Sequence, residues 1–102
     1  MNRELRFTRE AERNLKELQI RPSLIKQVRK TLALLQTNLR HPPLQTHQFH
    51  SLTGPGGEEI SEAYAQQHSP GAFRVFFFYG PDRVEGKRRI AVLTIIAITL
   101  HP

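Results

Sequence analysis

Apolar residues recur at two spacings along this chain, and the spacing changes near Gln45. Before that point the period is helical. Ala11, Leu15 and Leu18 fall on one face of a helix that Thr8 can cap, with Glu10 and Glu12 suited to its positive N-terminal end. Pro22 fits a first helical turn, and Leu24, Val28, Leu32, Leu35 and Leu39 form a second stripe, widened by Ile25 and Leu34. Arg40-His41-Pro42-Pro43 ends it, because a residue before proline avoids helical angles. With Leu5-Arg6-Phe7 as a short leading strand, this part predicts a strand followed by an αα-hairpin.

After Gln45 the segments shorten and turn residues separate them. Gln48–Leu52 reads as a strand, Gly54-Pro55-Gly56-Gly57 as a turn, and Glu59–Ala65 as a loosely alternating strand. His68–Gly71 is a second turn, Phe73–Tyr79 a strand, Gly80–Gly86 a loop, and Ile90–Leu100 the clearest strand of all. Strict alternation puts Ala91, Leu93, Ile95, Ala97, Thr99 and His101 on one face of the last strand. Arg74, Phe76 and Phe78 share a face of theirs. The expected fold class is α+β: a short N-terminal strand and an αα-hairpin on one face of an antiparallel sheet of three to four strands, in one domain spanning 1–102.

Charge adds a direction. The net charge is +6, and residues 1–40 hold ten Lys/Arg against four Glu, while residues 41–102 hold five of each sign. A field of that kind favours a polyanion or an acidic protein partner. With no cysteine, neither disulfides nor a thiolate zinc site is available. His47-x-x-His50 is followed by no third and fourth ligand at a tight spacing, so neither a metal nor another cofactor is expected. The longest apolar run, Ile90–Leu100, is far short of the roughly 20 residues that span a bilayer. Met1–Arg6 carries no apolar signal region, and the expected location is the cytoplasm, away from membranes.

Arg74 is the residue with the most to explain, since a lone guanidinium in an aromatic strand is costly to bury unpaired. It either pairs with Glu59 or Glu62 on a neighbouring strand or faces a cleft, where its planar fork can grip a phosphate at two points. His50 and His101 have the chemistry for proton transfer near neutral pH, which metal-free RNA cleavage needs at the 2′-OH and at the departing 5′-oxygen. Tyr64 and Phe76 are candidate stacking rings, and Lys87 and Arg88 candidate phosphate contacts. The alternatives are core packing for the aromatic rings and a charged sheet edge for the basic pair.

These residues, in this order, resemble the RelE/ParE superfamily of bacterial toxins from toxin–antitoxin pairs. The resemblance spans nearly the whole chain and rests on the element order, the helix ending in Arg40-His41-Pro42, and the strand–turn His50-Ser51-Leu52-Thr53-Gly54. It also rests on Glu62-Ala63-Tyr64, on Gly71-x-Phe73-Arg74-Val75, and on the closing Ile96–Pro102. It implies a type II toxin acting as a metal-free, ribosome-dependent endoribonuclease on mRNA, with no small-molecule cofactor. It further implies His50 as base, Arg74 as phosphate clamp, His101 at the leaving group, and a cognate antitoxin as partner. Two departures stand out: only Pro102 follows His101, and Ser61 occupies a position where many members carry a large aromatic. The alternatives are a toxin that inhibits DNA gyrase without cutting RNA, or an inactive antitoxin-binding module.

Overall fold

A computed structural model of the chain describes residues 2–66 and 72–100. Strand β1 (Glu4–Phe7) leads into helices α1 (Arg9–Leu18) and α2 (Pro22–Thr37), and a 3-10 turn at Pro42–Leu44 turns the chain into the sheet. Strands β2 (His47–Thr53), β3 (Glu59–Tyr64) and β4 (Phe73–Tyr79) follow, then a small hairpin of β5 (Arg83–Glu85) and β6 (Arg88–Ile90), and finally β7 (Val92–Leu100). The main sheet has the order β1-β7-β4-β3-β2. Its neighbours are antiparallel except β1, which runs parallel to β7. The α+β layout is as expected and consistent with a RelE-like fold. The leading strand, however, enters the sheet, which therefore has five strands and is mixed.

Both helices lie on one face. The α2 stripe (Leu24, Val28, Leu32, Leu35) and Ala11 and Leu18 of α1 are buried against Ala63, Val75, Phe77, Leu93, Ile95 and Ile98. The opposite face carries a smaller cluster of Ile60, Phe76 and Phe78, packed by Phe49, Ile96 and Ala97, and no helix among the described residues covers it. Leu44, at 2 % exposure, ties the 3-10 turn into the helix-side core.

The alternation expected for the last strand breaks at one residue. Phe76 pairs with Ala97 while the adjacent Phe77 pairs with Ile95, so Ile96 is an extra residue: a β-bulge. Ile95 and Ile98 consequently both enter the helix-side core, and Ala97 and Thr99 join the face of Arg74 and Phe76. Helix α1 holds the bulge in place. The Thr8 hydroxyl accepts from the Ala11 N–H (3.2 Å), capping the helix as its sequence predicts, and donates to the Ile96 carbonyl (3.1 Å). The Asn14 Oδ1 accepts from the Ile98 N–H at 2.9 Å. Thr8→Ala therefore removes a cap and a bulge contact together. We expect a loss of about 1–2 kcal/mol in urea unfolding, largely restored by Thr8→Ser. A midpoint unchanged by Thr8→Ala would show that the bulge holds without its hydroxyl.

The segment from Gly80 to Gly86, expected as a loop, contains half of a hairpin. Gly86 takes φ +62° in the two-residue turn Gly86–Lys87, a conformation that matches strand twist and suits glycine. Arg83 joins this hairpin to β1 through Glu4 (2.9 and 3.2 Å), and that guanidinium lowers the Glu4 carboxyl below its ordinary value.

Candidate functional site

The cross-strand register builds the site on the uncovered face. Directly paired residues of neighbouring strands share a face. Tyr64, Arg74 and Thr99 form one row across β3, β4 and β7. His47, Glu62, Phe76 and Ala97 form the next row, with His47 contributed by β2. Five polar side chains, Tyr64, Arg74, Thr99, His47 and Glu62, thus stand side by side at one end of the sheet, beside the Phe76–Phe78 cluster.

Arg74 is only 8 % exposed. Its guanidinium carbon lies 3.8 Å from the centre of the Tyr64 ring, a close cation–π stack, and Nη1 donates to the Ala72 carbonyl at 2.7 Å. Its Nε is buried without a hydrogen-bond partner among the described residues. Nor does Arg74 form an ion pair among them, so the expected structural bridge to Glu59 or Glu62 is absent. A fixed, desolvated cation with an open donor is what an anionic ligand would complete.

Glu62 is 2 % exposed and His47 half-exposed, with the imidazole Nε2 2.7 Å from Glu62 Oε1. The other ring nitrogen, Nδ1, lies 2.5 Å from the Gln45 carbonyl, which can only accept, so Nδ1 carries a hydrogen. The imidazole and the carboxyl are thus hydrogen-bonded to each other beside the cation. The His47 and Tyr64 ring centres are 6.2 Å apart.

Of the residues singled out from the sequence, Arg74 and Tyr64 are brought together. His50 is exposed on β2, and among the described residues it has no hydrogen bond or ion pair with Arg74. His101 lies outside the described residues, as does His68. Phe76 requires a correction: at 1 % exposure it is wedged against Phe49 (5.3 Å between ring centres) and cannot stack on a base. Lys87 and Arg88 are exposed on the hairpin that follows Tyr79. Tyr79 lies five residues along β4 from Arg74, about 17 Å away at strand spacing. Those two cations therefore stand at the far end of the sheet and do not form part of this site.

Sequence reasoning missed His47 and Glu62 as site residues. The signal was present in Ile60-Ser61-Glu62-Ala63, where a carboxylate interrupts a buried strand just as Arg74 interrupts its own. Among the described residues no group of three or more His, Cys, Asp or Glu side chains could hold a metal ion. No helix among them is long and apolar enough to cross a membrane. Compared with protein-family models, curated proteins and solved structures, the chain matches none of them.

Proposed function

We propose that the chain is the toxin of a type II toxin–antitoxin pair and cleaves translated mRNA at the Arg74 face without a metal or cofactor. The observation that carries this reading is the buried Arg74 guanidinium, stacked on Tyr64, with Nε unpartnered and no counter-ion among the described residues. A phosphodiester reaching the exposed edge of the guanidinium supplies the missing counter-charge. The 2′-oxygen attacks phosphorus while its proton passes to the Glu62 carboxylate, which His47 holds in place. The bond from phosphorus to the 5′-oxygen breaks, and that oxygen leaves with a proton supplied by His101 (the assignment the resemblance implies). A 2′,3′-cyclic phosphate and a 5′-hydroxyl result. Arg74 stabilises the negative charge that grows on the phosphoryl oxygens.

This differs from the resemblance in one assignment, since His47 rather than His50 stands in the cluster. The cognate antitoxin would be an acidic protein, in keeping with the +6 charge of this chain. The near-complete burial of Arg74 favours a second reading, a module that binds its antitoxin without cutting RNA.

Induction of the chain in a bacterium, with 5′ ends mapped on an abundant mRNA, decides between them. The expected result is in-frame cleavage that drops by about a hundredfold or more in His47→Ala and stays within a few-fold of wild type in His50→Ala. Growth arrest with intact mRNA would move the reading to gyrase inhibition. No arrest at all would leave the interaction module.

A further inference from the structure

Two clefts lie along the helix-bearing side of the molecule, the first reaching Tyr64 at the edge of the site, and they share one lining residue. The first, about 410 Å³, opens between α2, the 3-10 turn and the end of β3, and is lined by Gln27, Lys30, His41, Tyr64 and Gln66 among others. The second, about 930 Å³, continues between the C-terminal end of α2, the leading segment and the end of β4, with Arg3, Asn38, Arg40, His41, Gln45 and Tyr79 in its wall. His41 belongs to both, so the two clefts adjoin there, between Tyr64 and Tyr79.

The lining has a consistent chemistry. Among the described residues neither cleft is lined by an aspartate or glutamate, while Lys30, Arg3 and Arg40 all are part of the wall. The amide of Gln66 is oriented by its own hydrogen bond: Oε1 accepts from the Phe73 N–H at 3.1 Å, which leaves its amino group to donate. Tyr79 is 54 % exposed and braced edge-on by Phe77 at 5.8 Å, so its ring is presented rather than packed away. Cations and donors beside an exposed, supported aromatic ring are the combination that holds a single nucleic-acid strand, with phosphates on the cations and a base on the ring.

We propose that this groove carries single-stranded RNA flanking the cleaved bond, passing from Tyr64 over His41 to a base stacked on Tyr79, with Arg3, Arg40 and Lys30 against its phosphates. The inference extends the nuclease reading of the sheet face, and its test uses a strand that cannot be cleaved, so the two can fail separately. An acidic peptide would match the charge but gains nothing particular from the Tyr79 ring.

The probe is a fluorescent, fully 2′-O-methylated oligonucleotide of about ten residues, followed by anisotropy across a salt series. Arg3→Glu with Arg40→Glu is expected to weaken binding by about tenfold or more and to flatten the salt dependence by about one unit of log–log slope. Lys26→Glu with Arg29→Glu makes the same charge change on an exposed part of α2 outside the groove and should cost no more than about threefold. Tyr79→Ala should weaken binding by about fivefold or more. Arg40→Glu alone, at an exposed position, provides the same reading should Arg3→Glu disturb the leading strand. Equal losses from the two charge-reversal pairs would overturn the groove, as would indifference to Tyr79→Ala. Tighter binding of a polyglutamate peptide, unaffected by Tyr79→Ala, would also overturn it and assign the surface to an acidic protein. Binding that follows this pattern in a chain unable to cut an unmethylated strand would uphold the groove and overturn the nuclease.

Discussion

Arg74→Ala is expected to lower mRNA cleavage by about 10²–10³-fold while leaving the sheet folded. The loss follows from removing the one buried cation among the described residues of the uncovered face, stacked on Tyr64 with its Nε unpartnered among them. The folding result follows from the same facts. A guanidinium buried without a counter-ion gives the native state little, so its removal should shift stability by no more than about 1–2 kcal/mol. Arg74→Lys sharpens the test. Lysine keeps the charge but has no planar fork to match two phosphoryl oxygens, and it should recover less than about a tenth of the activity. Mapping of 5′ ends beside a thermal unfolding curve reads both quantities. Full cleavage by Arg74→Ala would remove the residue from the site. Unfolding of the alanine variant with full activity in the lysine variant would make Arg74 a structural cation.

Phe77→Ala should have the largest effect on stability, about 3–5 kcal/mol. Phe77 is fully buried at the centre of the helix-side core and sits where the register shifts, opposite Ile95. Its neighbours cannot close over the vacated space without moving the bulge that Thr8 and Asn14 hold. For a domain of this size each kcal/mol corresponds to about 4–8 °C in Tm, so the melting temperature should fall by at least about 12 °C. Circular dichroism against temperature measures it. A fall of only a few degrees would mean that the core at the bulge is loosely packed.

Local patterns carried much of the fold. The Leu24–Leu35 stripe, the Thr8 cap and the Phe73–Tyr79 strand depend on neighbours in sequence, and each appears where its spacing puts it. What was hidden depends on distant partners. Nothing in Leu5-Arg6-Phe7 reveals that it pairs with Leu93-Thr94-Ile95 at the other end of the chain. Alternation along the last strand cannot reveal Ile96 as an extra residue, because Ile95, Ile96 and Ile98 are chemically the same. The hairpin was obscured by a short run of charged residues whose pairing satisfies only their own backbones.

The candidate site divides in the same way. Arg74 could be found because a charge in an aromatic strand is anomalous on sight. Glu62 offered the same anomaly, but its meaning depends on His47, which comes alongside only through the β2–β3 register. Phe76 was left between base stacking and core packing because aromatic residues on an uncovered face can be exposed or clustered. The Phe49 ring decides the matter by covering it.

The two ends of the main sheet have a consequence for how the molecules behave toward one another. One outer strand, β1, is only four residues long, and the other, β2, is interrupted by a register shift between Gln48 and Thr53. Neither offers the long, regular row of free amides and carbonyls along which a second sheet could extend. A concentrated solution of this chain should therefore resist strand-to-strand fibre growth. Self-association, where it occurs, would have to proceed through side chains.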